Sequence, residues 1–198
     1  MFKKFTHNNL YFFSFLIPSL LYGLVLVLFK VYPFGNQSTL MADQYTQYIQ
    51  FYNHFYDVLK GKGSLLYSWE SGMGLNFWGT FSYYLSSPLS IIVLLFDRDN
   101  LPEAFILMTL LKIGLSGLTM SVYLKSLFNS KTNSTIIFST MYALMSFEIG
   151  YFFNIMWLDS LYLLPIVLLG IERLFKKKYF LFIISLVILF ISNFYMSY

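Results

Sequence analysis

The apolar run from Leu10 to Val31 is the feature that most constrains the fold of this chain. It is 22 residues long and contains no charged residue before Lys30, and about 20 apolar residues are what an α-helix needs to cross a bilayer. The run has no small-residue cleavage site and is too long for the apolar part of a signal peptide. We therefore expect a retained membrane-spanning helix.

The composition extends this expectation to the whole chain of 198 residues. Hydrophobic residues make up 58% and charged residues 11%, whereas soluble domains carry about 25% charged residues. The formal net charge of +4 is small and scattered, so we expect the lipid bilayer as a partner and no nucleic acid. The chain has no cysteine, which excludes disulfides, thiol catalysis and cysteine-based metal sites.

Further apolar runs predict the other spans. We expect membrane helices over Glu103–Leu124, Ser134–Phe153 and Leu158–Phe175. A last apolar run, Tyr179–Tyr198, is still in mid-helix where the sequence stops, so we expect the chain to be the N-terminal part of a longer protein. The expected fold class is all-α, a polytopic transmembrane helical bundle formed by one domain, 1–198, without room for a separate soluble domain.

The apolar segment Phe77–Phe96 does not fit this pattern. It is interrupted by Ser86-Ser87-Pro88, and proline disfavours helix at the residue before it. Only Leu89–Phe96 is left unbroken, which is too short to cross. If the segment is a re-entrant or interfacial hairpin, the following basic residues share the cytoplasmic side, as the positive-inside rule expects. They are Lys3, Lys4, Lys125, Lys131, Arg173 and Lys176–Lys178.

This topology makes the polar segment 36–82 the first extracytoplasmic loop. Asp43 lies in the loop, and Asp159, at the mouth of a predicted span, shares the same side. The first part of the loop has helical periodicity, which predicts an amphipathic helix at the membrane interface. Its expected apolar face consists of Tyr45, Tyr48, Tyr52, Phe55 and Leu59, and its expected polar face of Asp43, Gln47, Gln50, His54 and Asp57.

Each polar residue of this region has two interpretations. Asp43 and Asp159 are either helix N-caps, with the carboxylate tied to backbone N–H groups, or groups available for chemistry. The polar face is either solvated or the wall of a cavity for a charged head group and a sugar, and His54 is either a satisfied interfacial histidine or a ligand or base. Glu148 lies in an apolar stretch, so we expect it to face the bundle or a polar cavity rather than lipid.

A glycine-rich loop, Ser71-Gly72-Met73-Gly74-Leu75-Asn76, lies between Trp69 and Trp78. Glycine permits positive φ and close backbone approach, so Gly72 and Gly74 would let the loop wrap a phosphate or a sugar. The loop lacks the strand, helix and lysine of a nucleotide site, and a tight turn is the alternative. The chain has no HExxH, no GxSxG and no clustered histidine, so classical hydrolase and zinc chemistry have no support.

Several separated motifs together resemble the N-terminal part of bacterial YfhO-type membrane proteins. They are Met41-Ala42-Asp43-Gln44-Tyr45, Tyr67-Ser68-Trp69-Glu70-Ser71-Gly72-Met73-Gly74, Tyr83-Tyr84-Leu85-Ser86-Ser87-Pro88, Leu111-Lys112-Ile113-Gly114-Leu115-Ser116-Gly117 and Ile191-Ser192-Asn193-Phe194-Tyr195-Met196. The resemblance covers nearly the whole chain, whereas family members are much longer.

The resemblance implies a glycosyltransferase of the GT-C type. Such an enzyme uses a polyprenyl-phosphate sugar to decorate a surface glycopolymer such as teichoic acid, on the extracytoplasmic side of the bacterial cell membrane. The acidic residue of the first loop activates the acceptor, and Asp43 matches its position. Asp159 and Glu70 are candidates for a second acidic role, as acceptor orienter or metal ligand. A divalent cation, Mg²⁺ or Mn²⁺, would suit such oxygen ligands.

The donor phosphate needs positive charge or N–H donors as it leaves, and the loop offers candidates. We expect substrate-binding roles for Gln47, His54, Lys60, Lys62, Trp69, Gly72 and Gly74, although the two lysines are equally understood as solvated charges. Two other functions remain open. The chain is alternatively part of a transporter or flippase for a lipid-linked envelope precursor, with Asp43 and Glu148 as gating or proton-relay groups, or a scaffold without catalysis.

Overall fold

A computed structural model describes residues 9–38, 40–128 and 132–198. Three of the basic residues that support the predicted topology lie outside these described residues, namely Lys3, Lys4 and Lys131. The described chain is an all-α bundle, as predicted, whose strands are limited to two pairs of residues. Within it, three helical segments are long and apolar enough to cross a membrane, namely Leu10–Leu28, Arg98–Phe128 and Ile155–Leu174.

The first of these, α1 (Leu10–Leu28), packs against the long helix α4 (Leu101–Phe128). The Ser19 hydroxyl donates to the carbonyl oxygens of Phe15 and Leu110 at 3.0 Å each. The second bond joins the two helices. α4 also packs against two later helices, at Thr132–Ala143 and Leu158–Leu174, so it is the central element of the bundle.

The predicted span Ser134–Phe153 is wrong as one continuous helix. The structure has α5 (Thr132–Ala143), an extended residue at Met145, and a short helix α6 (Ser146–Gly150). α6 contains Glu148, which is fully buried and accepts a hydrogen bond from Ser116 of α4. The break therefore brings the carboxyl to a polar partner inside the bundle, as the burial of an ionisable group requires.

The last two helices also depart from expectation. α7 (Leu158–Leu174) and α8 (Phe180–Ser192) pack so closely that a Cβ added to Gly170 would lie 2.7 Å from the Phe182 Cα. The predicted continuation of the helix to Tyr198 is wrong. Asn193 is extended, with φ −163°, and its Oδ1 accepts from the Met196 N–H at the start of α9 (Phe194–Ser197). An asparagine favours this helix start because its side chain replaces the missing backbone acceptor.

The first helical part of the loop between α1 and α4 is a π-helical turn, Gln44–Tyr48, which leads directly into α2 (Ile49–Leu59). We call these two parts together the loop helix. The hairpin β1 (Tyr67–Ser68) and β2 (Leu75–Asn76) follows, with Tyr67 opposite Asn76 and Ser68 opposite Leu75. The next element is a bent segment, which comprises Phe77–Leu85, with α3 (Phe77–Thr80) at its start, and Pro88–Leu95. Its two halves meet at 95°.

The predicted amphipathic helix is present, but the predicted faces are wrong for two of its residues. Tyr48, Tyr52 and Phe55 are buried as predicted. Tyr45 is 69% exposed and His54 is only 8% exposed, the reverse of the prediction. The π-helical turn before α2 is one cause, because its i to i+5 hydrogen bonds shift the register, so that Gln44 rather than Tyr45 faces inward. The buried residues of α2 pack on the bent segment and the start of α4.

Candidate functional site

Asp43 lies immediately before the π-helical turn, and its side chain is exposed. Its backbone is already helical, with φ −66° and ψ −16°, and its carboxylate makes no capping hydrogen bond. The capping alternative for Asp43 is therefore wrong. The preceding residue, Ala42, has φ +46°, a left-handed conformation that costs a residue with a Cβ roughly 1–2 kcal/mol. This turn directs the chain into the helix while leaving Asp43 outside the packed core.

The phenol of Tyr48 is close to the Asp43 carboxylate. Burial raises the pKa of Tyr48, and the negative charge of Asp43 raises it further, because both disfavour a phenolate. The Tyr48 hydroxyl donates to Asn154 Oδ1 at 2.7 Å. Tyr48 therefore stays a neutral hydrogen-bond donor and joins the Asp43 turn to the segment that precedes α7.

A group of aromatic side chains, which we call the tyrosine cluster, continues from Tyr48. Its other members are Tyr83, Tyr84, Trp157 and Tyr195. The Tyr48 and Tyr84 ring centroids are 5.3 Å apart, and those of Tyr83 and Tyr84 are 4.5 Å apart. Trp157 Nε1 donates to the Tyr83 hydroxyl at 3.4 Å, and its ring stacks on Tyr195 at 6.4 Å. The tyrosine cluster thus connects the loop helix, the bent segment, the start of α7 and α9.

A cleft of about 560 Å³ lies between the loop helix and the glycine-rich loop. The helix contributes Gln47, Gln50 and His54, and the loop contributes Glu70 and the segment Ser71–Leu75. Gly72 and Gly74 have φ +62° and +106°, so the loop uses the backbone freedom of glycine as predicted. Amides, one carboxylate and a backbone wall are groups that hydrogen-bond to a hydroxyl-rich ligand, and we call this space the amide cleft.

A second cleft, of about 530 Å³, shares His54 and Glu70 with the amide cleft. It is also lined by Asp57, Lys62 and Trp69, and the Trp69 side chain is 78% exposed. The structure therefore places Lys62 on a different wall from Gly72 and Gly74. Lys60 lines neither cleft, and its Nζ lies 5.4 Å from the centre of the Tyr56 ring.

His54 separates the two clefts and is held by the loop. Its Nε2 is 3.0 Å from the Ser64 carbonyl oxygen, and because a carbonyl only accepts, Nε2 carries the hydrogen. Its Nδ1 lies 3.3 Å from Ser68 Oγ and 3.7 Å from Glu70 Oε2. The imidazole ring meets Phe77 edge-on at 4.2 Å. These contacts agree with a satisfied interfacial histidine.

Asp159 lies in a different environment from Asp43. Its side chain is fully buried in the first turn of α7, where Trp157 rather than Asp159 occupies the N-cap position. The capping alternative for Asp159 is therefore wrong. Oδ2 accepts from Lys112 Nζ at 2.7 Å, and Oδ1 accepts from the hydroxyls of Ser87 and Tyr162 at 2.8 Å each. The Asp159 carboxylate thus ties α4, α7 and the bent segment together.

A family model described as bacterial membrane protein YfhO matches residues 14–198 of the chain. The chain belongs to the YfhO family. It is therefore a bacterial membrane protein. No curated protein and no solved structure matches the chain.

Three of the five separated YfhO motifs meet in the structure. The first motif contains Asp43, and the motif at 83–88 contributes Tyr83 and Tyr84 to the tyrosine cluster. The C-terminal motif, at 191–196, contributes Tyr195 and also Asn193, whose Nδ2 donates to the Tyr83 carbonyl oxygen at 3.0 Å. Segments more than a hundred positions apart in the sequence thus build one site around the loop helix.

The predicted site residues of this YfhO protein lie in five places. Gln47, His54, Glu70, Gly72 and Gly74 line the amide cleft, and Lys62 and Trp69 line the second cleft. Asp43 lines neither cleft and lies beside Tyr48. Asp159 is in the buried ion pair, and Lys60 is on the Tyr56 ring. Their catalytic and binding roles stay predictions.

Sequence reasoning missed three residues that organise this region. Lys112, Tyr48 and Asn154 connect the acidic residues to their surroundings. The signal for Lys112 was present, because a lone lysine in an apolar helix is costly unless it is paired. Asn154 precedes a predicted span and carried no comparable signal.

The divalent cation that the resemblance implies stays a prediction. Among residues 9–38, 40–128 and 132–198, no group of three or more His, Cys, Asp or Glu side chains is close enough to hold a metal ion. Mg²⁺ is usually held by one or two carboxylates together with water and substrate phosphates, so Asp43 or Glu70 would hold such a cation only together with the donor phosphate.

Proposed function

We propose that this YfhO protein is part of a GT-C-type glycosyltransferase. It would transfer a sugar from a polyprenyl-phosphate donor to a surface glycopolymer, such as teichoic acid, on the extracytoplasmic side of the membrane. The observation that carries the proposal is the position of Asp43. Its carboxylate is exposed, is not used for capping, and lies where the loop helix meets the bundle.

Asp43 is the general base of this reaction. It accepts the proton of an acceptor hydroxyl while the hydroxyl oxygen forms a bond to the anomeric carbon of the donor, which a positioned carboxylate typically accelerates about 10²- to 10⁴-fold. The bond from that carbon to the phosphate oxygen breaks, and the phosphate leaves as an anion with inversion of configuration. Because Asp43 is exposed, its proton then passes to water.

Tyr48 supports this role as a positioning residue. It is buried, its hydroxyl is fixed by Asn154, and its pKa is raised by burial and by the charge of Asp43. A phenol that stays protonated cannot compete with Asp43 for the acceptor proton. The rest of the tyrosine cluster supplies aromatic faces beside Asp43, which suit the apolar faces of sugar rings and the first isoprene units of a lipid donor.

The amide cleft is the proposed site of the hydroxyl-rich partner. Its walls carry Gln47, Gln50 and Glu70, and no lysine or arginine is among the described residues that line it. The Glu70 carboxylate repels a phosphate and is not offset there by a lysine or arginine, so this cleft suits a neutral sugar or polyol better than the donor phosphate. Gln47 lies four residues after Asp43, which is about one helical turn, so the cleft begins next to the proposed base.

The test is sugar transfer by membranes that contain the full protein with Asp43→Asn. Asparagine keeps the size of the side chain and removes its basicity, so we expect transfer to fall by at least about 100-fold. Donor-lipid binding and thermal stability should stay near wild type. Asp99→Asn is the matched control, because Asp99 is an exposed carboxylate in the helical turn Arg98–Asn100 and lines neither cleft.

Three outcomes separate the function classes. An enzyme loses turnover in Asp43→Asn, a flippase loses translocation of the lipid-linked precursor, and a scaffold loses neither. Near-normal transfer by Asp43→Asn would remove Asp43 from the chemistry. Asp43→Glu should be nearly as poor as Asp43→Asn, because one added methylene displaces the carboxylate and an error of about 1 Å can cost 10²-fold.

A further inference from the structure

Glu148 is a buried carboxylic acid that the proposed transfer reaction does not use. It lies in α6, just after the break that follows α5, and its side chain is 0% exposed. Ser116 Oγ donates to its Oε1 at 2.9 Å. Its second oxygen, Oε2, is buried and has no hydrogen-bond partner among the described residues.

A negative charge on Glu148 would have no counter-ion in the described part of the bundle. The ion pairs there do not include Glu148. Lys112 lies one turn before Ser116 on α4, but its Nζ donates to Asp159 Oδ2 at 2.7 Å and to the Ile155 carbonyl oxygen at 2.9 Å. Lys112 is thus already engaged by Asp159. An unpaired carboxylate in an apolar interior is one of the most costly groups that a protein can bury.

Other ionisable groups on the helices of the bundle do not supply a counter-ion for Glu148. On α5, the Tyr142 hydroxyl donates to the Leu161 carbonyl oxygen at 2.7 Å. On α7, the Tyr162 hydroxyl donates to Asp159. α1 carries no charged residue between Leu10 and Leu28. None of these groups supplies a positive charge to Glu148.

We propose that Glu148 is a proton-binding site inside the bundle, with the carboxyl group neutral at neutral pH. In this state Oε1 accepts from Ser116 and Oε2 carries the acid hydrogen. Burying an unpaired hydroxyl costs far less than burying an unpaired carboxylate, so the neutral acid is the form that fits this surrounding. Asp159 differs because Lys112 and two hydroxyls compensate its charge.

The location of Glu148 links the bound proton to the conformation of the bundle. The carboxyl lies beside the break between α5 and α6, where the chain has left the helical hydrogen-bond pattern at Met145. Loss of the proton would place a charge at this break and favour a rearrangement that brings water or a cation to Oε2. Glu148 is therefore a point at which proton uptake and release couple to the shape of the bundle, whether or not Asp43 catalyses sugar transfer.

The first test is labelling of the full protein in membranes with dicyclohexylcarbodiimide. This apolar reagent adds to protonated carboxylic acids and leaves a stable adduct that peptide mass spectrometry locates. We expect labelling at Glu148 at neutral pH, loss of that labelling at alkaline pH, and no labelling at Asp159. Glu148→Gln is the control that removes the adduct. Equal labelling of both acids would overturn the proposal, and so would protection of Glu148 by Na⁺ at constant pH, which would identify a cation site.

A second measurement does not depend on access of the reagent. Glutamine has the shape of a neutral glutamic acid, so Glu148→Gln should melt at the wild-type temperature at about pH 4, where the carboxyl is largely protonated in the folded and the unfolded chain. As the pH rises, the unfolded chain releases this proton first, so the melting temperature of the wild type should fall relative to that of Glu148→Gln until the folded protein also releases it. The same pH dependence in both proteins would show that Glu148 does not hold a proton.

Discussion

Three acidic residues of this YfhO protein have different electrostatic surroundings. Asp43 is exposed and lies beside a neutral phenol, Asp159 is buried in an ion pair with Lys112, and Glu148 is buried with one serine. A carboxylate is stabilised by solvent at the exposed Asp43 and by a cation at Asp159. Glu148 is shielded from solvent and has no cation partner among the described residues, so the three acids should respond differently when their charge is removed.

The ion pair between Lys112 and Asp159 gives a prediction for stability. Lys112→Met leaves a buried carboxylate without its cation, and Asp159→Asn leaves a buried ammonium without its anion. Each single change should lower the free energy of unfolding by about 3–5 kcal/mol. The double variant carries no buried charge, and the asparagine Oδ1 still accepts from Ser87 and Tyr162, so it should recover most of this loss. Denaturant titration in detergent measures all three.

The exposed pair of Arg98 and Asp57 is the matched control for this cycle. Its nitrogen and oxygen are 3.0 Å apart, similar to the buried pair, but the Arg98 side chain is 48% exposed. Asp57→Asn should therefore cost only about 0–1 kcal/mol. If the double variant of the buried pair were as unstable as the sum of the two single variants, the two residues would not act as a pair.

Residue patterns in the sequence predicted part of this site. The burial of Glu148 followed from its apolar neighbours, and the glycine conformations at Gly72 and Gly74 followed from the turn. The pairing of Lys112 with Asp159 did not, because the two residues lie on different helices and only the packing of α4 on α7 brings them together. A local pattern cannot describe a contact that depends on the relative rotation of two helices.

At the scale of elements, the close approach of α1 to α4 depends on small residues. A Cβ added to Gly117 would overlap the backbone oxygen of Ser14, and one added to Gly114 would lie 2.7 Å from the Phe15 ring. Helices in a bilayer associate through such close backbone contact, since lipid tails offer no hydrophobic drive for helix pairing. Gly114 and Gly117 therefore set the distance between the first helix and the centre of the bundle.

Gly117→Ala should separate these two helices and lower stability. The new methyl group meets the α1 backbone, which cannot rotate away as a side chain does, so we expect a loss of about 1–3 kcal/mol. Gly23→Ala is the control on the same interface, because its Cβ would lie 3.8 Å from Leu110 Cδ2, an ordinary contact. Thermal unfolding in detergent compares the two. Equal stability of both variants would mean that α1 tilts to accommodate the methyl group.

Element boundaries were predictable where the apolar run was long and uninterrupted. α1, α4 and α7 lie within a few residues of the predicted spans. The breaks at Met145 and Asn193 were missed because both lie inside apolar runs that carry no proline or glycine at the break. Tertiary and capping bonds decide these positions, Glu148 to Ser116 at the first and Asn193 to Met196 at the second.

At the scale of the whole molecule, the bent segment decides on which side each later loop lies. Its two halves, Phe77–Leu85 and Pro88–Leu95, meet at 95° and form either one broken span or a re-entrant loop. The two alternatives place every later loop on opposite sides of the membrane. A re-entrant loop places Asn100 with Asp43 outside, in agreement with the 3.0 Å hydrogen bond between Arg98 and Asp57. If α5 and α6 together cross once, Lys176 then lies inside, which is the arrangement that the distribution of lysine and arginine favours.

Single-cysteine labelling tests this arrangement directly, because the chain has no native cysteine. Cysteines at Asn100 and at Lys176 are suitable, since both side chains are exposed in the structure, whereas Asn154 is buried and bonded to Tyr48. In intact cells an impermeant maleimide should modify Asn100→Cys and leave Lys176→Cys unmodified, and both should react after detergent is added. Modification of Lys176→Cys but not Asn100→Cys would contradict this topology, and with it the contacts of Arg98 with Asp57 and of Asn154 with Tyr48 that hold both later loops beside the Asp43 loop.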